Sequence, residues 1–378
     1  MKKILIAVAV LGAAVLLISL LGNGGSKKDV TNTNGSAATG AKEATTGAAA
    51  VPKGSRTLAI HVIDQVGSSK GVAAYDALFQ SALDAGVQSV NISLNWNDVE
   101  ASGGALKPEV FAQVNRYFAS HHAKMDLDLR PVDTAGVMLP DDLKGKALND
   151  PEVIRRFEAF LDHVFAALPD VQLNMLAIGN EVDTVFANNP AQFAEYDDFL
   201  KQVIPYAKQK RPGVRVGVIV AYAGLTGKDA KEYQKLNART DVVMLTYYPI
   251  KGDFSTKQLP VFEQDLAKVT ALYPNRQLYF TEIGYPSSEI SGGSEAKQAQ
   301  FIREMFSVWD KHADTIAGLA YFMMGDLTPA SIEQLTKYFS VATKQFKATI
   351  GSVGLVTADG REKEALGVFR KEAHERGW

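Results

Sequence analysis

The sequence predicts an α/β fold, a (β/α)8 TIM barrel, on the strength of two observations. From Arg56 onward, eight apolar strand-like runs alternate with amphipathic helical stretches. Two of those runs also end abruptly in polar residues that include a glutamate. A doubly wound open sheet is the alternative, but it would need a glycine-rich phosphate-binding turn after its first strand. The residues that follow the first run include only Val66-Gly-Ser-Ser69, so the barrel is favoured.

The predicted strands are short runs typical of buried parallel strands. They cover residues 57–63, 89–96, 124–131, 171–178, 215–222, 241–248, 277–281 and 316–323. The clearest helical patterns between them cover residues 151–167, 191–209, 256–273 and 295–312. In the first of these helices Asp150 is a capping residue placed before Pro151, which is compatible with the first turn. Its apolar residues recur every three or four positions, at Val153, Phe157, Phe160, Leu161 and Val164.

Composition excludes several classes of function. The chain is 46% hydrophobic with a formal net charge of -2, so it has material for a large core and no basic field for nucleic acid. It has no cysteine, which excludes disulfides, thiolate zinc sites and a cysteine nucleophile. The six histidines are scattered, and the adjacent pair His121 and His122 would face different directions on a helix. We therefore expect no cofactor, no metal and no nucleic-acid partner.

The N-terminal region predicts export. Lys2 and Lys3 precede the uncharged apolar residues 4–21, so residues 1–22 are a signal peptide or an N-terminal membrane anchor. No small-residue cleavage site follows directly, which favours the anchor slightly. Residues 23–56 are rich in Gly, Ala, Ser, Thr and Asn, as in a flexible linker. The barrel, residues 57–378, would then lie at the outer face of the cytoplasmic membrane or be secreted or periplasmic, and we expect it to be a monomer.

In a TIM barrel the active site collects at the carboxyl ends of the strands. Here those ends carry carboxylates, amides and aromatic rings, which bind the hydroxyls and the C–H faces of sugars. This inventory suits a carbohydrate cleft better than a phosphate or metal site. Read in order, the residues are Asp64, Trp96, Arg130 with Asp133, Asn180, Glu181, Tyr222, Tyr247, Tyr248, Glu282 and Phe322.

Two glutamates stand out among these residues. The apolar run 171–178 ends in Gly179, Asn180 and Glu181, and the run that begins at residue 277 reaches Glu282. The two glutamates are 282 − 181 = 101 positions apart, which leaves room for several strand–helix units between them. Two carboxylates at the same end of one parallel sheet are what glycoside hydrolysis requires.

These residues resemble clan A glycoside hydrolases, the TIM-barrel retaining β-glycosidases. Gly179-Asn-Glu181 ends the fourth predicted strand and Glu282 ends the seventh. Residues 281–288 are similar to the nucleophile segment of the β-1,3-glucanase family, and residues 245–249 to the sixth strand of the β-1,4-galactanase family. Residues 95–100 resemble a W-x-x-x-E stretch that follows the second strand in several members, and residues 354–360 with Lys363 resemble a common C-terminal ending.

The sequence also departs from the clan pattern. The eighth strand ends at Phe322 where many members have a tryptophan, and the second strand lacks the arginine of some families, whose space Arg130 would occupy. The resemblance implies that Glu181 is the acid/base, that Glu282 is the nucleophile and that Asn180 binds the sugar 2-hydroxyl. We expect Tyr247 to donate to Glu282 and hold its orientation, because alternation along the strand should turn Tyr248 the other way. We expect the substrate contacts to come from Trp96, Tyr248, Tyr285 and Phe322.

Each of these roles has a structural alternative. Arg130 and Asp133 could form a structural ion pair, Trp96 and Phe322 could pack in the core, and His61 is more typical of a satisfied core histidine than of a ligand. The rival functions are a surface-tethered carbohydrate-binding barrel without turnover, a metal-dependent hydrolase and an envelope structural protein. The resemblance implies a β-linked glycan substrate, a polysaccharide or oligosaccharide such as a β-glucan or β-galactan. The short connections 183–190 and 250–256 indicate an open groove and hence endo action.

Overall fold

The structure is a computed structural model that describes residues 50–63, 71–106 and 108–378. The predicted export segment, residues 23–49 of the predicted linker and Asp64 lie outside the described residues. Within the described ranges, no helix is both long enough and apolar enough to cross a membrane.

Eight parallel strands form the sheet, and the predicted α/β barrel is confirmed. They are β1 Thr57–Ile60, β2 Ser89–Asn95, β3 Lys124–Arg130, β4 Leu173–Ile178, β5 Arg215–Gly217 with Ile219–Ala221, β6 Val243–Tyr247, β7 Leu278–Ile283 and β8 Ile316–Tyr321. Strand β5 is interrupted at Val218. Its first half pairs with β4 and its second half with β6, while β1 pairs with both β2 and β8. Every strand therefore has two neighbours, which closes the sheet into a barrel.

Helices surround the barrel and also extend over its mouth. They are α1 Gly71–Asp84, α2 Trp96–Val99, α3 Pro108–Ser120, α4 Pro151–Ala167, α5 Val182–Phe186, α6 Pro190–Lys210, α7 Tyr222–Thr226, α8 Ala230–Asn237, α9 Phe262–Leu272, α10 Glu295–Lys311, α11 Pro329–Phe339, α12 Lys344–Ile350 and α13 Glu364–Glu375. The start of α4 matches its sequence signals, since the Asp150 side chain accepts a hydrogen bond from the Glu152 amide and Pro151 occupies the first turn. The apolar face predicted for this helix is buried.

Along each strand, side chains point alternately into the barrel and toward the surrounding helices. Met175, Ala177, Ile219, Met244 and Tyr279 form a cluster separate from the large core beneath the helices, as expected for residues that face the barrel interior. Gly318 makes room for it, because a Cβ there would lie 2.2 Å from the Tyr279 ring. The interior is therefore packed solid below the carboxyl ends of the strands.

The connection between β8 and α13 carries two additional helices, α11 and α12. It is anchored at its end by Lys363, whose buried ammonium donates to Asp326 at 2.8 Å and to Ser287 at 2.9 Å. The Gln298 side chain donates to the carbonyl oxygens of Tyr285 and Val353. These buried bonds fix the position of the two helices beside the barrel mouth.

Candidate active site

A cavity of about 740 Å³ opens at the carboxyl ends of the strands. Both predicted catalytic residues line it, Glu181 from the end of β4 and Glu282 from the end of β7. The volume lies in the range of small-molecule sites, about 300–1,000 Å³. The sequence prediction that strand ends bring these two carboxyl groups into one site therefore agrees with the geometry.

A sharp turn after β4 delivers Glu181 into the cavity. Gly179 has φ +98°, and a Cβ there would lie 2.6 Å from the Tyr196 hydroxyl, so glycine is required for two reasons. Glu181 itself adopts a left-handed conformation with φ 41° and precedes helix α5. Its carboxylate accepts hydrogen bonds from Thr246 Oγ1 at 2.6 Å and Thr134 Oγ1 at 3.1 Å.

A register shift in β7 turns Glu282 toward the cavity. Tyr279 faces the barrel interior and Phe280 packs against α9, so strict alternation would point residue 282 outward with Phe280. The pairing of β6 with β7 skips one residue, and Thr246 lies opposite Glu282 instead. Thr246 therefore lies beside Glu282 in the sheet while its hydroxyl binds Glu181, which places the two carboxyl groups on either side of one residue.

Burial raises the pKa of both carboxyl groups. The pKa of Glu181 lies above its ordinary value despite the two threonine hydrogen bonds. Burial and the negative charge of Glu181 together raise the pKa of Glu282 to about 8. Each carboxyl group therefore opposes ionisation of the other, as expected for two carboxyl groups that share one buried site.

The tyrosine prediction was wrong in its choice of residue. Met244 and Thr246 face the barrel interior, so alternation points Tyr248 inward and Tyr247 toward the helices. The Tyr248 hydroxyl donates to Glu282 Oε2 at 2.6 Å. Tyr247 is buried and donates to Asp265 at 3.1 Å. Tyr248 is thus the residue that orients Glu282, and it also lines the cavity.

Two expected substrate contacts are also wrong. Trp96 is fully buried, packs against Phe157 and Phe160 of α4, and donates its indole N–H to Glu100 at 2.7 Å. Tyr285 is 1% exposed and stacks on Phe301 of α10. Neither ring can reach a sugar, because each turns away from the cavity and packs against a helix. Their positions near strand ends in the sequence had suggested the opposite.

Phe322 does line the cavity, as expected. Its ring packs edge-on against His61 at 5.0 Å and against Tyr248 at 5.9 Å. His61 bonds through Nε2 to the Thr281 carbonyl at 2.7 Å, and burial lowers its pKa to about 4. A neutral imidazole that donates to a backbone carbonyl matches the structural alternative for His61.

Asn180 and Arg130 hold the polar side of the cavity. The Asn180 amide donates to Asp133 at 3.0 Å, and its carbonyl oxygen is buried with no hydrogen-bond partner among the described residues. That free acceptor could take a hydroxyl donor from a sugar. Arg130 forms ion pairs with Asp128 at 2.5 Å and Asp133 at 3.3 Å, as the structural alternative expected, and it lines the cavity as well.

Sequence reasoning missed several residues of the site. Thr246 and Thr134 bind Glu181, Asp128 pairs with Arg130, and the Tyr338 hydroxyl donates to Asp133 from helix α11. Thr246 lies within the stretch that resembles the galactanase sixth strand, so it could have been found from the same motif. Tyr338 could not be found in this way, because it reaches the site from a helix and is 205 positions from Asp133 in sequence.

The expectation of an open groove left out one side of the cavity. Helices α11 and α12 form a wall along the cavity and supply much of its lining. That expectation rested on the connections after β4 and β6 and did not include this longer one. Over the described ranges, no group of three or more His, Asp or Glu is arranged to hold a metal ion.

Comparisons with known proteins support the architecture. No protein-family model matches the chain, and no curated protein sequence matches it. Among solved structures, a GH5_18 variant from Streptomyces cattleya in complex with Manβ1-4GlcNAc matches with TM-score 0.63 at 16% identity, over 84% of this chain and 80% of that one. The exo-β-1,4-mannosidase Op5Man5 from an Opitutaceae bacterium matches with TM-score 0.64 at 15% identity, over 86% and 61%.

A fungal β-1,4-galactanase matches with TM-score 0.59 at 14% identity, over 83% of this chain and 99% of that one. At these identities the likeness concerns the fold. The fold neighbours are glycoside hydrolases, as the resemblance to clan A implied.

Proposed function

We propose that the protein is a retaining glycoside hydrolase that cleaves β-glycosidic bonds by double displacement. The observation that carries the proposal is the placement of Glu181 and Glu282 on either side of Thr246 in one cavity, where burial raises the pKa of both carboxyl groups. A pair with one protonated and one ionised carboxyl group is the state that this reaction requires. No cofactor takes part in it.

In the first step, the Glu282 carboxylate attacks the anomeric carbon while Glu181 donates its proton to the leaving oxygen. A glycosyl ester forms on Glu282 and the glycosidic C–O bond breaks. In the second step Glu181, now ionised, takes a proton from water, which attacks the anomeric carbon and releases Glu282. The anomeric configuration is inverted twice and is therefore retained.

The hydrogen-bond partners favour this assignment of roles. The pKa of Tyr248 is raised well above its ordinary value by burial and by the Glu282 charge, so the phenol stays protonated and acts as a donor to Glu282. That contact stabilises the ionised form of Glu282. Threonine hydroxyls can donate or accept, so Thr246 and Thr134 accommodate a protonated Glu181. Glu181 can therefore act first as an acid and then as a base, as the two steps require.

The fold neighbours bear on the substrate. Their names include a Manβ1-4GlcNAc complex, an exo-β-1,4-mannosidase and a β-1,4-galactanase, all with β linkages. The wall formed by α11 and α12 favours short or chain-end substrates over internal attack on a long polymer, in place of the endo action expected from sequence. Export through residues 1–22 would bring the enzyme, as a monomer, to glycans outside the cytoplasmic membrane.

The test is turnover of aryl β-glycosides and β-linked oligosaccharides by the full chain, beside Glu181→Gln, Glu282→Gln and the exposed control Glu232→Gln. We expect both cavity variants to lose activity and the control to keep it, with the first-formed product in the substrate's anomeric configuration by NMR. Activity that survives both cavity substitutions contradicts the proposal. Saturable glycan binding without turnover would instead indicate the surface-tethered binding barrel.

A further inference from the structure

The candidate cavity is divided into a polar side and an apolar side. Its polar lining comes from the strand ends and includes Asn180, Glu181, Arg130 and Glu282. The other side is mostly apolar and is supplied mainly by the connection that carries α11 and α12. We call it the apolar wall, formed by Ile63, Leu327, Leu335, Phe339, Phe346 and Ile350.

The apolar wall is the open side of a small hydrophobic cluster that is distinct from the main core. Met323, Leu327 and Val353 are its buried members, and Ile63, Leu335 and Ile350 pack on them while remaining partly exposed. Apolar surface that faces a water-filled cavity is unfavourable, and covering it with an apolar ligand group gains free energy. The wall is therefore suited to bind hydrocarbon.

Three hydroxyl groups on this side of the cavity are already engaged within the protein, and the side chains of Gln334 and Ser340 are the other polar groups that the connection contributes to the lining. Ser331 bonds to Thr328, Tyr338 donates to Asp133 and Thr349 donates to the Phe254 carbonyl. A second sugar ring placed against the wall would lose hydrogen bonds between its hydroxyl groups and water. Few protein groups there could replace those bonds, so binding would cost free energy. An alkyl or aryl group carries no such cost.

We propose that the natural substrate is a β-glycoside whose leaving group is apolar, an alkyl or aryl aglycone of six or more carbons. The sugar lies at the polar side, with its anomeric carbon between Glu181 and Glu282, and the aglycone lies on the apolar wall. This inference rests on the proposed glycosidase function for its orientation and names the substrate class of the same cavity. Glu181 would then protonate an alcohol or phenol oxygen that leaves along the wall.

Binding and turnover are measured separately, so that failure of either proposal can be recognised. Full-length Glu282→Gln is titrated by calorimetry with methyl, hexyl and octyl β-glycosides of glucose, galactose and mannose, and with the phenyl glycosides. Complete burial of a methylene would tighten binding about fourfold. Because the wall covers one side of the chain, we expect at least tenfold tighter binding of octyl than of methyl for the preferred sugar. The heat-capacity change should also become more negative with chain length.

Matched variants locate the effect. Leu335→Gln, made in the same background, should remove most of the preference for octyl while leaving methyl glycoside binding unchanged. Ile290→Gln is the control, because Ile290 is the large hydrophobic side chain with 61% exposure on the described surface, away from the cavity lining. Loss of the preference in Ile290→Gln, with Leu335→Gln unaffected, would mean non-specific adsorption and would overturn the inference.

Equal affinity for methyl and octyl glycosides would also overturn the inference. This comparison uses protein with an unchanged wall, so it does not depend on whether Leu335→Gln folds. Tight binding that is confined to β-linked oligosaccharides would show that Phe339 and Phe346 stack on sugar rings instead. If octyl glycosides bind tightly but the wild-type chain does not hydrolyse them, the wall inference holds as a binding specificity and the glycosidase function fails.

Discussion

Replacing Tyr248 with phenylalanine tests the electrostatics of the site most directly. The substitution removes one hydroxyl group, whose hydrogen bond to Glu282 Oε2 is 2.6 Å long, and it keeps the ring against Phe322. Because the lost bond stabilises the ionised form of Glu282, the pKa of Glu282 must rise. Glu282 has to be ionised to attack, so the acidic limb of the kcat/KM profile should move to higher pH.

The magnitude follows from the kind of hydrogen bond. A bond to a charged group contributes about 1.5–3 kcal/mol, and one pKa unit corresponds to about 1.36 kcal/mol. The acidic limb should therefore move up by about 1 to 2 pH units. On the basic side, activity of the wild type should fall as Glu181 loses its proton, and burial places that limb above the ordinary pKa of a glutamate.

The assay is the pH dependence of kcat/KM for an aryl β-glycoside, measured for the wild type, Tyr248→Phe and Tyr247→Phe. Tyr247→Phe is the matched control, since it removes a hydroxyl from the neighbouring tyrosine that donates to Asp265 instead of Glu282. It should lower the melting temperature without moving the acidic limb. Equal shifts in the two variants, or an unmoved limb in Tyr248→Phe, would refute the reasoning.

Two further predictions concern the frame that positions the site. Gly179→Ala should reduce stability by about 1–3 kcal/mol, since alanine is strained at φ +98° and its Cβ would collide with the Tyr196 hydroxyl, and kcat should fall with it because Glu181 follows directly. Urea unfolding and turnover check this, and wild-type values in both would contradict it. Lys363→Met should cost about 3–5 kcal/mol at pH 7, because it leaves the Asp326 carboxylate buried without its cation. The pKa of Asp326 is about 6 even with Lys363 present, so the deficit should shrink as the pH falls and Asp326 protonates; a deficit that grows on acidification would argue against this pair.

Local patterns in the sequence were sufficient for the barrel and for the two glutamates that line its cavity. Strand and helix periods depend on neighbouring residues, and in a parallel barrel the carboxyl ends of the strands face the same side wherever they lie along the chain. The residues that follow β4 and β7 therefore had to share one end, and Glu181 with Glu282 could be named without coordinates. The glycine before Asn180 was visible too, as part of the same motif.

The orientation of individual side chains needed the tertiary structure. Tyr247 and Tyr248 are adjacent and chemically identical, and only the packing of β6 decides which one faces Glu282. Glu282 itself points inward because the register slips between β6 and β7, an event that depends on both strands. Trp96 turns to α4 because Phe157 and Phe160 offer it a closed packing site there.

By itself, then, the sequence determined the fold class, the end of the barrel that carries the site and the two carboxyl groups. These follow from periodicity and chain direction, which are properties of short segments. The tertiary structure alone decided the partners of those carboxyl groups, the burial of Trp96 and Tyr285, and the apolar wall beside them. Each of these results from contacts between segments far apart in the chain, as in the bond between Tyr338 and Asp133, and no local pattern encodes them.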